Sequence, residues 1–206
     1  MNPSRSAILA LACAAGFSAL LLGACASAPA ERYFVLDVAP SNRPALDPAY
    51  AGDLSVRVGA IPQSADRPQI VMQRGANELD VREADRWAEP LRGGLERCLV
   101  GDLRRALPAA WISSTGPHRD PDPLRLVVEF TGLDAAPDGT VSLRAEWTLA
   151  TGDGAARRTY RRNLSHKVPG GTIAAIVGAW SDELDELAQE VARSVIARPA
   201  APPLAN

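Results

Sequence analysis

The chain has 206 residues, enough for one domain of ordinary size and a leader. With 47% hydrophobic and 22% charged residues it has the composition of a globular protein, not a disordered one. The formal net charge of −2 excludes the basic excess that nucleic-acid binding needs, and also a hold on anionic lipid by charge alone.

The first 24 residues differ from the rest. Arg5 is the only charge before Cys25, so removing this segment leaves a net charge of −3. Ala7 to Leu22 is uncharged and rich in Ala and Leu, and the small residues Gly23 and Ala24 follow. A basic start, an apolar stretch and small residues are the pattern of a secretory signal. The apolar run of 16 residues falls short of the roughly 20 that a spanning helix requires. Leu22-Gly23-Ala24-Cys25 resembles the lipobox of bacterial lipoproteins, in which the chain is cut just before the cysteine. Small residues let the backbone enter a narrow peptidase site, and the thiol is the nucleophile that takes the diacylglyceryl group. The alternative is an ordinary signal cut near Ala28 or Ala30. On the lipobox reading the divisions are a signal at 1–24, a lipidated tether at 25–32, a domain at 33–197 and a disordered tail at 198–206. Ala26 is not the Asp that retains enterobacterial lipoproteins at the inner membrane, so the resemblance implies the inner leaflet of the outer membrane, with the body in the periplasm. Cys13 would leave with the signal and Cys25 would be acylated. Cys98 is then the one free thiol, on an apolar helix face, and reads as structural.

Along the body, Tyr33 to Asp37 reads as a strand and Pro40 to Pro48, with three prolines, as a loop. Leu54 to Val58 alternates as a second strand. Ile70–Gln73 and Glu78–Val81 form a short hairpin around Gly75-Ala76-Asn77. The spacing predicts a helix from Trp87 to Leu107, with Trp87, Leu91, Leu95, Cys98, Leu99 and Leu103 on one face. Asp85 is its expected N-cap, and Pro90 falls in its first turn. Gly93-Gly94 implies close packing or a kink. Trp111–Ser113 is a short strand, and Thr115 to Pro123 is a loop. Leu124–Phe130, Val141–Leu149 and Thr159–His166 follow as an antiparallel meander, with Asp138-Gly139 and Gly152-Asp153-Gly154 as turns. The last helix carries an apolar stripe from Ile173 to Val195, and its carboxylates from Asp182 to Glu190 read as a solvated face. The predicted fold is a single α+β domain, an antiparallel sheet with two amphipathic helices packed on it.

Little in this chain points to chemistry. His118 and His166 have no partner at metal spacing and read as solvated surface residues. No Gly-x-Ser-x-Gly elbow supports a hydrolase, and neither Gly93-Gly94 nor Gly170-Gly171 has the context of a phosphate loop. The reading is of no catalytic residue, no metal and no cofactor, in a partner-binding or structural component.

Asp66-Arg67-Pro68-Gln69-Ile70-Val71 and Asp85-Arg86-Trp87-Ala88-Glu89-Pro90-Leu91 are more distinctive. With the Tyr33–Asp37 strand and the Ala179-Trp180-Ser181 helix, they resemble the ABC-type transport auxiliary lipoproteins, in particular the paraquat-inducible protein C type of membrane-integrity transporter subunit. The resemblance implies an accessory of MCE-type intermembrane lipid transport. Its partner would be the MCE-domain tunnel protein of an ABC-type or related transporter, whose far end the lipoprotein docks or receives at the outer membrane. A ring-shaped tunnel would suit a homo-oligomeric lipoprotein. Within these motifs Arg67, Gln69, Arg86 and Glu89 are the candidate partner-binding residues. Trp87 is expected as a core anchor, and Arg86 with Glu89 as a local i, i+3 helix pair. The alternative function is a lipoprotein regulator of a peptidoglycan-synthesis enzyme. Such a regulator needs a long tether, whereas the seven residues between Cys25 and Tyr33 reach about 25 Å at most.

Overall fold

A computed structural model describes residues 29–38, 43–47 and 49–197. The signal, Cys25 and the tail from 198 lie outside the described residues, as does part of the loop predicted over Pro40–Pro48. The described body, from Glu31 on, is α+β, with eight strands and two helices.

Strict alternation makes the strand Thr140–Ala150 (β7). Val141, Leu143, Ala145, Trp147 and Leu149 are all buried, while Arg144 is exposed. It pairs antiparallel with Leu124–Ala135 (β6) on one side and Arg157–Lys167 (β8) on the other, so the predicted meander forms. Asp53–Val58 (β2) and Trp111–Ser113 (β5) complete a five-stranded sheet in the order β5-β2-β6-β7-β8. Here β2 runs parallel to both β5 and β6, so the sheet is mixed. Parallel partners need a long crossover, and the chain supplies it between β2 and β5. That crossover contains two strands of a second, three-stranded sheet. Gln69–Gly75 (β3) and Glu78–Trp87 (β4) form the predicted hairpin, and Arg32–Phe34 (β1) adds parallel to the end of β4. The first strand stops at Phe34, short of the predicted Asp37, because its partner ends at Trp87.

The same pairing corrects the start of the first helix. It runs over Leu91–Ala106 (α1), not from Trp87. Arg86 and Trp87 are still strand, with Trp87 N–H donating to Pro68 O at 2.7 Å and Ala88 N–H to Phe34 O at 2.8 Å. Asp85 is therefore not a helix cap. It is a buried strand residue ion-paired with Arg32 at 2.6 Å and Arg82 at 3.3 Å. Pro90 takes the N-cap position and offers no side-chain cap. Within α1, a methyl added at Gly101 would lie 2.5 Å from Val38 Cγ2, whereas one at Gly93 would meet nothing within 4 Å. We expect Gly93→Ala to stabilise the protein by about 0.5 to 1 kcal/mol through helix propensity. Gly101→Ala gains nothing, because Val38 must move. Urea unfolding of the two variants checks this; equal gains would show that Gly101 is not packed as described.

Ile173–Ile196 (α2) opens with Thr172, whose hydroxyl accepts the Ala175 N–H at 3.3 Å. Its predicted stripe is buried throughout, and Trp180 packs on Trp87 with ring centroids 5.9 Å apart. The polar side departs from expectation: Ser181, Glu183, Asp185 and Gln189 are buried, not solvated. Neighbours cover this helix on several sides. The Asp37 N–H donates to Ser181 Oγ, α1 supplies Arg105 to Asp185, and β8 supplies His166 to Glu183. Both helices lie on one face of the five-stranded sheet, α1 against β2 and β5, α2 against β7 and β8.

Candidate partner-binding surface

Three of the four residues singled out from the motifs gather at the open end of the β3–β4 hairpin, where β3 begins and β4 ends. Arg67 is exposed in the loop before β3, and its backbone N–H closes a turn onto Ala65 O at 2.8 Å. Among the described residues its guanidinium has no ion pair. Gln69 opens β3 and is the register partner of Arg86, which places both on one face. Gln69 Nε2 donates to Glu83 Oε2 at 3.3 Å.

The expected pair between Arg86 and Glu89 does not form, because Arg86 is in a strand. Arg86 Nε instead meets Glu31 at 3.0 Å, joining β4 to the segment just before β1. Glu89 turns the other way and binds Arg97 of α1. Arg97 also donates to Leu36 O at 2.6 Å. Glu89 thus braces the β4–α1 turn and the segment after β1, and its carboxylate lies where only a glycine at position 94 leaves easy room. Burial and this carboxylate act on Arg97 in opposite senses; the hydrogen bond to Glu89 dominates and raises its pKa.

Several charged sites were hidden from sequence reasoning. Arg32, Arg82, Asp80 and Asp85 form one network beside a cleft of about 390 Å³, which Met72 and Ile173 also line. Asp85 looks like a helix cap in the sequence, and only its pairing with β1 shows otherwise. His118 is not a free surface histidine. Its Nδ1 is 2.6 Å from Asp53 Oδ1, and its side chain is 19% exposed. Burial pushes the Asp53 carboxyl up, but the backbone N–H of Asp120 and the His118 ring outweigh it and lower the pKa. His166 is half-exposed, with Nδ1 3.2 Å from the buried Glu183. Cys98 is buried as expected, and desolvation pushes its thiol up to about 11. These side chains brace the fold. Among the described residues no group of three or more His, Cys, Asp or Glu is placed to hold a metal ion. No described helix is long and apolar enough to cross a membrane.

A mixed sheet with two helices on one face, and charged side chains committed to bracing it, define a single α+β domain. Residues 34–192 match the ABC-type transport auxiliary lipoprotein component, and the chain belongs to this family. Its role is accordingly that of a lipoprotein in transport, associated with a membrane through a lipid anchor. Two crystal structures share the fold. One, of an uncharacterized protein, is 22% identical and covers 81% of this chain and 99% of its own, with a TM-score of 0.70. The other, a Xanthomonas campestris protein of family DUF330, is 18% identical and covers 80% of this chain and 94% of its own, with a TM-score of 0.60. No curated protein matches the chain.

Proposed function

We propose that this lipoprotein docks or receives the MCE-domain tunnel of an intermembrane lipid transporter at the outer membrane. It would be held in the inner leaflet by acyl chains on Cys25, with the body in the periplasm. The observation that carries this reading is the family match over 34–192 in a chain that has a lipobox cysteine nine residues upstream of it. In this role the protein binds and routes; it performs no chemistry on the lipid. Copies of the chain would assemble around a ring-shaped tunnel. Arg67, Gln69 and Arg86 present one contact for the partner, and Glu89 supports it through Arg97.

The test is a pull-down of the lipidated chain from detergent-solubilised envelopes, with mass spectrometry of the co-purifying proteins. An MCE-domain protein should be recovered. Arg67→Ala with Gln69→Ala should cut that recovery by about tenfold, the effect of removing a central polar contact pair. Recovery of a cell-wall synthase without any MCE-domain protein would replace this proposal with the regulator reading.

A further inference from the structure

The face of the five-stranded sheet opposite the helices is open, and its charge is opposite to that of the whole chain. Strand register puts Arg57, Arg125, Arg144, Arg157, Arg161 and Lys167 on the open side. Three of these are neutralised: Arg144 by Asp134 at 2.7 Å, Arg161 by Glu146, and Lys167 by Asp138 at 2.7 Å. Arg57, Arg125 and Arg157 are exposed and have no ion pair among the described residues. Asp153, in the β7–β8 turn, senses Arg125 without pairing to it. Glu129 is the one carboxylate on this face left unpaired among the described residues.

The three free arginines are close together. Arg125 lies opposite Ala150, and Ala150 opposite Arg157, so two strand spacings, about 10 Å, separate them. Arg57 lies opposite Val127, two residues along from Arg125. The floor between them is shallow; Arg57 and Arg125 line its larger part, and Glu129 and Glu146, the latter held by Arg161, line the smaller part beside Arg157. It forms two shallow hollows, of about 410 Å³ beside Ser55 and Val127 and about 130 Å³ beside Thr148 and Thr159. Three like charges at this spacing repel one another and do nothing for the fold. Edge protection accounts for Arg157, since β8 is an edge strand. It does not account for Arg57 and Arg125, which stand on the inner strands β2 and β6.

We infer that the open sheet face around Arg57, Arg125 and Arg157 is a docking surface for an acidic protein segment. The inference rests on the docking role proposed above and names the surface and the chemistry of the partner. A bilayer is the poorer fit for these arginines. The body begins at Glu31, and the neighbouring Arg32 shares a cleft with Pro137 and Gly171, at the end where β6 turns into β7. Arg125 is at the other end of β6, about 30 Å from Asp134 at the usual rise per residue. The free arginines therefore lie at the far end of β6 from the cleft that Arg32, near the start of the body, lines. A flat face with guanidiniums on adjacent strands suits carboxylates spaced along an extended segment.

The test compares the native lipidated chain with Arg57→Glu/Arg125→Glu/Arg157→Glu and with the corresponding triple Lys variant, in the same envelope pull-down. Recovery of the MCE-domain protein should fall by about tenfold or more in the Glu variant and stay within about threefold in the Lys variant. Equal recovery by the native and Glu proteins would overturn the inference. If the native chain recovers no MCE-domain protein, the docking role itself fails. The face is then judged by fluorescence anisotropy of a deca-glutamate peptide on the full chain in neutral nanodiscs. Binding that weakens with salt and is lost in the Glu variant supports the surface. Absent binding, binding unchanged in the Glu variant, or displacement by phosphatidylglycerol vesicles as readily as by unlabelled peptide overturns it. Melting temperatures within about 2 °C of native show that the variants fold.

Discussion

Replacing Arg105 by Met should destabilise the body by about 3 kcal/mol, because it strands buried carboxylates at the contact between α1 and α2. Arg105 donates to Asp102 at 2.6 Å and to Asp185 at 2.9 Å. Asp102 is fully buried and Asp185 nearly so. Asp185 keeps a second cation, Arg43, at 3.5 Å, whereas Asp102 has no other ion pair among the described residues. The loss should depend on pH. Burial, opposed by Arg105, pushes the Asp102 carboxyl up from 3.8 to about 7. A raised acid pKa means the folded state holds the proton more tightly than the unfolded chain. The stability from that proton is fully present below about pH 4 and is lost as pH rises towards 7. Without Arg105 the ionised form is worse still, so the variant should lose more at pH 8 than at pH 5. Asp102→Asn in the native background should flatten the slope across this window. Urea unfolding at the two pH values reads both effects. A loss equal at pH 5 and pH 8 would show that Asp102 is not the group responsible.

Cys25→Ser should abolish acyl-chain incorporation almost completely and leave the body without its lipid anchor. Two acyl chains on the thioether and one on the amine would bury many more methylenes than a single myristoyl chain, which by itself binds only reversibly. A serine hydroxyl does not accept the diacylglyceryl group, and no described helix is long and apolar enough to cross a membrane. Radiolabelled palmitate incorporation and fractionation together give the answer. If the variant stays on the membrane and the native N-terminus maps near Ala28 or Ala30, the chain carries an ordinary signal and the lipid anchor is wrong.

Amphipathic period is local, and it was readable wherever one face of an element meets the core. The odd positions of β7 and the stripe from Ile173 to Val195 are buried as their spacing predicts. The hairpin at Ala76-Asn77 and the family motifs around Arg67 and Arg86 were equally legible. Each such signal lies within a few residues of chain. The errors came where a distant segment decides. Asp85 and Trp87 became strand residues because β1, some 53 positions earlier, pairs with them, and the gain in backbone hydrogen bonds outweighs a helix cap. The parallel placement of β2 beside β6 has no local signature, since register is set by packing and not by turn type. Glu183 and Asp185 look solvated on a helical wheel and are buried because α1 and β8 close over them.

The candidate surfaces divide in the same way. The motif residues Arg67 and Gln69 stand out in the sequence, but whether Glu89 faces outward or braces Arg97 depends on where α1 packs. Arg158, Arg161 and Arg162 draw the eye as a run. Yet Arg161 and Arg162 have partners on β7 and α2, and the free arginines of the open face come from three separate strands. The sequence by itself determined the periods and the turns, because these depend on neighbours along the chain. The tertiary structure alone decided which charges are buried, paired or free, because a charge's energy depends on the partners and solvent that the fold places around it.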